Sequence, residues 1–378
     1  MAKKIVFGST ALINNFYWND ALKRSGFSSK TIMFELITHV TKDIKWDVIV
    51  RLNKSENKYL NTFLLIPNGL KAIYMFLKYI NKFDVFVLSF DGFLIGKIPI
   101  VWRWQSYLFK AFKKKVILIP YGGDFYVYQN ITSEEIRQGL QNSYPMSNKK
   151  QKRIAQRVDY WKKHADIVIP GFAYADIYRP GEVKSYKNIF LTIPSPLIID
   201  EESWFSKRTP ISEGQVVEIA HMPNHRGFKG TDKIREVIQE LINEGFNIKF
   251  HLVEKLSNEE VRLLMKTKIH ILIDQIHFIG YALNSIEGMM SSCVVMANIS
   301  DDRYTSLYAN TYLDKCPIIS INESNLKHEL INIILNHNRI NDLSKLSRNY
   351  VEKFHSYKYF SILFEDILFS LYQTQKYD

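Results

Sequence analysis

The stretch VVEIAHMPNHRGFKGTDKIREVIQELINEG (216–245) contains a short apolar segment, a polar loop and a longer segment with helical periodicity. The segment VVEIA (216–220) predicts a buried β-strand. Helical spacing places five later apolar residues on one face, Ile234, Val237, Ile238, Leu241 and Ile242. A strand joined directly to a helix is the repeating unit of parallel sheets. This stretch therefore predicts an α/β fold.

The same alternation of strand and helix extends over most of the chain. Strands are predicted before residue 201 at 3–8, 46–52, 84–90, 115–120 and 165–171. After the polar segment 201–214, they are predicted at 216–220, 248–254, 269–275, 293–298 and 317–322. A chain of 378 residues is longer than one hydrophobic core usually organises, so we expect two α/β domains with parallel sheets.

Composition excludes several classes of protein. With 46% hydrophobic and 23% charged residues, the chain is not a disordered polymer. No apolar run approaches the roughly 18 residues that span a bilayer. The N-terminal segment 1–16 is interrupted by Ser9, Thr10, Asn14 and Asn15, so it does not predict a secretory signal. We expect a globular cytoplasmic protein.

The net charge of +12 predicts an anionic partner, such as nucleic acid, a phosphorylated substrate or an acidic membrane face. Basic residues cluster in KAFKKK (110–115) and KKQKRIAQRVDYWKK (149–163). The second cluster has Ile154, Val158 and Trp161 on one side, which suits a helix that covers its own domain or one that meets a membrane. Charge alone leaves both open. No nucleic-acid-binding motif is evident, so we expect no nucleic acid partner.

The loop after strand 216–220 contains candidate phosphate ligands. Arg226 and Lys229 precede a helix for which Thr231 is the expected N-cap. The free N–H groups and positive dipole of a helix N-terminus favour a phosphate, and two cations suit a diphosphate. The alternative is a pair of solvated loop cations, which the loop alone does not exclude.

The loop after strand 269–275 adds a second candidate. Gly280 begins a turn, and the predicted helix N-terminus at 280–283 can accept phosphate oxygens. Glu287, later in that helix and flanked by apolar Ile286 and Met289, can accept hydrogen bonds from the two hydroxyls of a ribose. The two loops together predict a site for a nucleoside diphosphate.

The segments HMPNHRGFKGTD (221–232), VEKLSNEE (253–260), IHILID (269–274) and GYALNSIEGMMSSCVVM (280–296) resemble the C-terminal half of GT-B glycosyltransferases of the retaining GT4-type superfamily. The resemblance implies two Rossmann-like domains with a cleft between them. It implies an acceptor domain at 1–205, a nucleotide-sugar domain at 206–350, and C-terminal helices at 351–378 that pack back on the first domain. It also implies that the donor, a nucleotide-diphosphate sugar, is held mainly by the second domain.

Carried over by position, Lys229 matches the family lysine that contacts the donor diphosphate, and Glu287 matches the second glutamate of the E-x7-E motif, which holds the ribose. The first glutamate of that motif falls on Ile279, and the family arginine falls on Asn224. Arg226 is the expected substitute for that arginine. The implied nucleotide-sugar-binding residues are Gly8, Asn224, Arg226, Lys229, Asp274, Gln275, Gly280, Tyr281, Ala282, Leu283 and Glu287.

In the first domain, Gly8 and Asp124 follow predicted strands. Gly8 permits close approach of a ligand or simply forms a turn. Asp124, in the IPYGGDFYVY segment (119–128), can orient an acceptor hydroxyl or cap its own turn, and the sequence leaves both open. The expected catalytic residues are Asp124, Arg226 and Lys229.

We expect transfer without a metal ion or other cofactor. No DxD motif follows a strand, and Asp301 and Asp302 are typical of a surface loop. The resemblance favours UDP as the carrier and a saccharide or lipid-linked saccharide as the acceptor. A composition low in Gly and Ala but rich in Lys, Asn and Ile suggests an AT-rich bacterial genome, and hence capsule or lipopolysaccharide synthesis.

Two further expectations concern location and activity. The aromatic and basic segment GKIPIVWRWQSYLFKAFKKK (96–115) either covers the first sheet or contacts the inner face of the cytoplasmic membrane. Because Ile279 replaces a motif glutamate, the alternative function is a catalytically impaired glycosyltransferase-like subunit that binds nucleotide or glycan and supports a partner enzyme.

Overall fold

The computed structural model describes residues 3–35, 44–53, 55–57, 59, 63–96, 98–99, 101–131, 134–169, 189–190, 197–299 and 315–373. These residues form two α/β domains, one around a seven-stranded sheet and one around a five-stranded sheet. Every strand pairing within the two described sheets is parallel. The predicted fold class is confirmed.

The first sheet has the strand order β3-β2-β1-β4-β5-β6-β7. Its strands are β1 (Lys4–Ser9), β2 (Ser28–Phe34), β3 (Val48–Val50), β4 (Val85–Leu88), β5 (Lys115–Leu118), β6 (Ile167–Val168) and β7 (Ile189–Phe190). The apolar pattern of the sequence did not predict β2 and β7. The first four residues of β2, SSKT, are polar or charged, so this strand lacks the apolar run by which the others were found.

The helices of the first domain lie on the two faces of this sheet. They are α1 (Ile13–Arg24), α2 (Leu65–Ile80), α3 (Trp104–Ala111), α4 (Glu134–Ser143), α5 (Pro145–Asn148) and α6 (Gln151–His164). Phe76 of α2, Phe109 of α3 and Trp161 of α6 are buried in one core cluster, which places these three helices on the same face. The apolar side of segment 149–163 therefore packs on its own domain.

The second sheet has the order β12-β11-β10-β8-β9, and its strands correspond to the five predicted segments. They are β8 (Val217–His221), β9 (Ile248–Leu252), β10 (Ile271–Gln275), β11 (Val294–Ala297) and β12 (Ile319–Ser320). The helices are α7 (Arg226–Lys229), α8 (Thr231–Asn243), α9 (Asn258–Thr267), α10 (Leu283–Met290), α11 (Leu326–Ile334) and α12 (His337–Phe354).

The last described helix, α13 (Tyr357–Gln373), returns to the first domain. Its residues Phe360 and Phe364 are buried in a core cluster with Phe7 and Trp18, so it covers the sheet face opposite to α2, α3 and α6. The expected returning helix is thereby confirmed. The chain crosses between domains at His355 and Ser356, between α12 and α13. Within the described residues, no helix is both long and apolar enough to span a bilayer.

Gly230 lies between α7 and α8 in the left-handed conformation. Its φ is +74°, and a Cβ here would lie 2.3 Å from Ile276 Cγ1. Both facts require glycine. Thr231 is the first residue of α8, not its N-cap as predicted, and its hydroxyl instead forms a 2.9 Å hydrogen bond with His221 Nε2.

Candidate functional site

The two predicted loop cations are both paired with carboxylates. Arg226 is exposed, and its guanidinium donates to both oxygens of Glu254, at 2.8 and 2.6 Å. Lys229 is buried, and its Nζ donates to Asp274 Oδ1 at 2.5 Å and to Gln275 Oε1 at 2.8 Å. Lys229 is therefore not a solvated loop cation, whereas Arg226 is an exposed one that forms a surface ion pair.

Asp274 connects the end of β10 to α7 and α10. It is fully buried and accepts hydrogen bonds from Ser285 Oγ at 2.5 Å and Asn284 Nδ2 at 3.1 Å, besides that from Lys229. Burial opposes ionisation, but the charge of Lys229 and these hydrogen bonds together hold the pKa of Asp274 below its ordinary value. This ionised network connects Lys229 and the end of β10 to the first turn of α10.

Several other residues that were predicted to bind the nucleotide sugar lie at the start of α10. Gly280 is buried with a φ of +112°, and its carbonyl accepts from Gln275 Nε2 at 2.7 Å. Ala282 is the N-cap and supplies no side-chain hydrogen bond, which leaves the first N–H groups of this eight-residue helix without a capping side chain. Leu283 is half-buried against the core of the first domain. The helix therefore begins at the interface between the domains.

Tyr281 precedes α10, and its side chain contacts the end of α12. Its buried hydroxyl lies 2.9 Å from His355 Nε2 and 3.0 Å from the hydroxyl of Tyr350. His355 is also hydrogen-bonded through Nδ1 to the carbonyl of Leu197, at 2.7 Å. The side chain of Tyr281 thus contacts His355, where the chain returns to the first domain, and is connected through His355 to Leu197.

Glu287 is a buried carboxylate with few interactions that stabilise its negative charge. Among the described residues, the only hydrogen bond to its carboxylate comes from Asn258 Nδ2, at 3.5 Å. Burial first, and then the nearby charge of Asp274, raise the pKa of Glu287 to about 8, although the Asn258 hydrogen bond lowers it. The charge of Glu287 also contributes to the raised pKa of Tyr17 in α1, after the larger effect of burial, so Glu287 lies close to the first domain.

Asp124 occupies the turn after β5 and holds two loops of the first domain together. Its Oδ2 accepts from the N–H of Phe90 at 2.8 Å, and its Oδ1 accepts from Tyr121 and Gly122 at 3.0 and 3.2 Å. Burial, and then the charge of Asp91, raise the pKa of Asp124 to about 7, against the effect of these N–H groups. These contacts are those of a turn-stabilising carboxylate, and the raised pKa also suits a proton acceptor near neutral pH.

Gly8 lies inside β1, where it pairs with Ile32 and Leu88 on the neighbouring strands. A Cβ at this position would lie 2.5 Å from the carbonyl oxygen of Ile32. Packing between strands therefore already requires a glycine here, and this requirement explains the residue without a ligand.

A cavity of about 870 Å³ lies between the domains, at the turn that contains Asp124. The second domain contributes Asn224 and His225, and the ring of His225 lies 4.3 Å from that of Tyr144. The first domain contributes four tyrosines, three cations and two aspartates, which are Tyr121, Tyr126, Tyr128, Tyr144, Lys150, Arg153, Arg157, Asp91 and Asp124. Of the residues predicted from sequence, only Asp124 and Asn224 are among those that line it.

The acidic groups of this cavity are already engaged. Arg157 Nη1 lies 2.5 Å from Asp91 Oδ1, and Tyr121 donates to Asp91 Oδ2 at 3.0 Å. Lys150 and Arg153, one helical turn apart at the start of α6, are exposed. The cavity wall is therefore aromatic and basic. The sequence signals for it were the tyrosines after β5 and the basic run at 149–153, which were not connected to each other.

The described part of the chain has no cluster of potential metal ligands. Within the described residues, no three side chains of the His, Cys, Asp and Glu types are arranged to hold a metal ion. Asp301 and Asp302 lie outside the described residues. Transfer without a metal therefore stays a prediction.

Solved structures share this architecture, although no protein-family model and no curated protein sequence matches the chain. The pneumococcal O-GlcNAc transferase GtfA, in complex with UDP and GlcNAc, has a TM-score of 0.61 and 9% identity, covering 98% of this chain and 99% of its own. WaaG, a glycosyltransferase involved in lipopolysaccharide biosynthesis, has a TM-score of 0.53 and 11% identity, covering 92% and 95%. The chain has the GT-B fold.

The GT-B fold does not by itself determine the reaction. A putative UDP-N-acetylglucosamine 2-epimerase from Listeria monocytogenes has a TM-score of 0.52 and 12% identity, covering 94% of this chain and 94% of its own. At such identities the likeness shows the fold alone. The reaction has to be argued from the site.

Proposed function

We propose that the protein transfers a sugar, with retention of configuration, from a nucleotide-diphosphate sugar to a saccharide or lipid-linked saccharide during bacterial surface polysaccharide synthesis. The proposal rests on Glu287, a buried carboxylate at the domain interface. Among the described residues, the only hydrogen bond to this carboxylate is the long, weak one from Asn258. Such a group is costly unless a ligand supplies donors. The two hydroxyls of a ribose are donors of the right kind.

The donor diphosphate is proposed to lie at the start of α10. This helix has no capping side chain, so its first N–H groups and its dipole favour phosphate oxygens. Asp274 holds Lys229 beside this helix start, and Lys229 can balance the charge that develops on the leaving diphosphate. UDP is the favoured carrier because the bound ligand of GtfA is UDP.

The acceptor is proposed to occupy the cavity of about 870 Å³. Tyrosine rings present flat apolar faces to sugar rings, while their hydroxyls and the neighbouring polar groups supply hydrogen bonds. Lys150 and Arg153 suit an anionic group attached to the saccharide, such as the phosphate of a lipid-linked acceptor. Asp124 orients the acceptor hydroxyl or stabilises the turn that does so.

A second function is favoured by one observation. Ile279, which stands in place of a motif glutamate, packs against an apolar cluster formed by Tyr128, Ile131 and Leu140 of the first domain and Phe278 of the second. A contact between domains has replaced a carboxylate at this position. The alternative proposal is therefore a subunit that binds nucleotide or glycan without transferring sugar and that supports a partner enzyme.

The experiment that tests these proposals measures thermal stability with UDP, GDP, CMP and ADP. A ligand at about 100 times its dissociation constant adds roughly 2.7 kcal/mol. We expect UDP to stabilise the parent, and both Lys229→Ala and Glu287→Ala to lose this effect, whereas the exposed control Glu236→Gln keeps it. If no nucleotide stabilises the parent, the donor site is wrong. If UDP binds but no UDP-sugar is transferred or hydrolysed, the supporting-subunit function replaces the transferase.

A further inference from the structure

Helix α2 (Leu65–Ile80) is apolar on two faces, and only one of them is covered. The covered face contains Ala72, Phe76 and Ile80, which are buried against the first sheet. The ring of Phe76 also packs on that of Phe109 in α3, with centroids 5.5 Å apart. These contacts account for the ordinary role of a helix that crosses a parallel sheet.

The other apolar face of α2 is in solvent. Its side chains are between 48% and 73% exposed, and they are Ile66, Leu70, Tyr74 and Leu77, which we call the outer face of α2. Ile66, Leu70, Tyr74 and Leu77 follow one another at helical spacing, so they form a continuous stripe over about three turns of the helix. A helix that is apolar all round is normally buried or lies in a membrane. Isolated exposed apolar residues need no explanation, but a stripe does.

The charges within α2 all have the same sign. Residues 57–83 contain no Asp or Glu, and the charged residues in that span are Lys58, Lys71, Lys78 and Lys82. Lys71 and Lys78 are exposed and seven residues apart, so they lie on one flank of the helix. An apolar stripe beside a row of lysines, without a carboxylate, is complementary to an anionic lipid surface.

The neighbouring helix extends this surface. Trp104 and Tyr107 of α3 are also largely exposed, and α3 shares the covered face of the sheet with α2. Aromatic side chains with a polar edge suit the boundary between lipid headgroups and acyl chains. The basic helix α6 lies on the same face, but its apolar residues Ile154, Val158 and Trp161 are buried, so it contributes charge and not insertion.

We propose that the outer face of α2 inserts into the headgroup region of an anionic bilayer and docks the first domain on the membrane. This assigns the membrane contact to a helix that the sequence pattern did not single out, and it does not depend on sugar transfer. The basic cavity wall at Lys150 and Arg153 begins α6, on the same side of the sheet, so an acceptor carried by the bilayer would reach the cleft from this side.

Vesicle flotation of the full chain tests this proposal. The vesicles contain phosphatidylglycerol with phosphatidylethanolamine, or phosphatidylcholine alone. We expect binding to the anionic vesicles, and a loss of roughly tenfold or more in partitioning for the triple variant Ile66→Gln, Leu70→Gln, Tyr74→Gln, because its apolar stripe no longer inserts. Lys71→Glu with Lys78→Glu should weaken binding to anionic vesicles and make the remaining binding less sensitive to salt.

Controls distinguish insertion of α2 from a general loss of surface hydrophobicity and from damage to the donor site. The matched triple variant Leu263→Gln, Leu335→Gln, Leu346→Gln changes leucines of the second domain that are also exposed, and it should float like the parent. Thermal stabilisation by UDP should be the same in the parent and both triple variants, so that a failed donor site is distinguished from a failed docking face. The proposal is overturned if the parent does not bind anionic vesicles or if the α2 triple variant binds as the parent does. It is also overturned if that variant converts a dimer to a monomer in size-exclusion chromatography without changing flotation.

Discussion

Asp124 and Asp274 are two buried aspartates at strand ends, one in each domain, and their environments shift their pKa values in opposite directions. The pKa of Asp124 is raised to about 7, by burial and by Asp91, whereas that of Asp274 is lowered although burial opposes this. Both accept several hydrogen bonds. The difference is that Asp274 has the ammonium group of Lys229 at 2.5 Å, whereas the described partners of Asp124 are backbone N–H groups.

This comparison shows what a single buried cation does to an aspartate at the end of a strand. With Lys229, Asp274 stays ionised and serves as a fixed anchor for α7 and α10. Without a cation, Asp124 can take up a proton near neutral pH. A carboxylate that only stabilises a turn does not need this property, whereas a general base for the acceptor hydroxyl does. Glu287 resembles Asp124 in this respect, since its pKa is also raised and its described hydrogen bond is weak.

The largest effect is expected from removing the cation of the second domain. Lys229→Met leaves Asp274 buried without a charge partner, so we expect the free energy of unfolding to fall by about 3–5 kcal/mol. Urea denaturation at pH 7 measures this change. Adding Asp274→Asn to Lys229→Met should recover part of the loss, because the uncompensated charge is then absent.

The control for this prediction is Arg226→Met, which removes an exposed ion pair in the same loop. We expect it to change stability little, since water and salt screen its pairing with Glu254. If Lys229→Met were as stable as the parent, Lys229 would not be what keeps Asp274 ionised, and the contrast between the two aspartates would need another cause.

The next effect concerns Glu287, whose pKa of about 8 in the folded protein lies above its ordinary value of 4.5. The folded state therefore binds this proton more tightly than the unfolded state, so stability is present below pH 4.5 and is lost as the pH rises toward 8. Glu287→Gln cannot ionise. We expect it to be more stable than the parent at pH 9, by about 1–3 kcal/mol, and equally stable at pH 4.

Thermal denaturation of parent and variant between pH 4 and 9 measures this difference. The same variant should lose stabilisation by UDP, since an amide replaces the carboxylate proposed to hold the ribose. A gain in stability combined with a loss of binding is the pattern of a site residue that is kept at a cost to the fold. A variant that loses stability at pH 9 would show instead that Glu287 is a structural carboxylate.

A smaller effect is expected from Asp124→Asn. The amide keeps one acceptor oxygen but turns an NH₂ group toward backbone N–H groups, so we expect a loss of about 1–2 kcal/mol at pH 5. The parent itself loses stability as the pH rises from 3.8 toward about 7, because its folded state prefers the proton. The difference between variant and parent should therefore shrink between pH 3.8 and about 7 and stay constant above that. A difference that grows with pH would mean that the carboxylate is ionised in the fold, like Asp274.

Much of the fold was predictable because its strands are apolar runs in a regular order. The five strands of the second sheet and most of those in the first carry that signal, whereas β2 does not, because SSKT is polar or charged. The suggestion that Glu287 is buried was also available locally, from its apolar neighbours Ile286 and Met289. Local pattern was sufficient in these cases.

Other features depend on partners that are distant in sequence. Nothing near Lys229 indicates that it pairs with Asp274, 45 residues away, rather than standing free in solvent. Nothing near Arg157 indicates Asp91, 66 residues earlier. Helix α2 was not singled out as a surface, because apolar residues at helical spacing normally predict a buried helix face. Such features follow from tertiary packing, which periodicity does not encode.

The smallest effect expected is on the acceptor side, where the exposed cations of the cavity wall are spread over one helical turn. For an acceptor that carries a diphosphate, Lys150→Ala and Arg153→Ala should each raise KM about three- to tenfold while kcat changes little, because a contact of this kind stabilises ground and transition states alike. The same saccharide without phosphate should show no change. Lys152→Ala, an exposed cation of α6 that does not line the cavity, is the matched control. If KM changes equally for both acceptors, the two cations only support the cavity wall. If KM changes for the charged acceptor alone, and the change disappears at high salt, the anionic group of that acceptor lies beside the two cations.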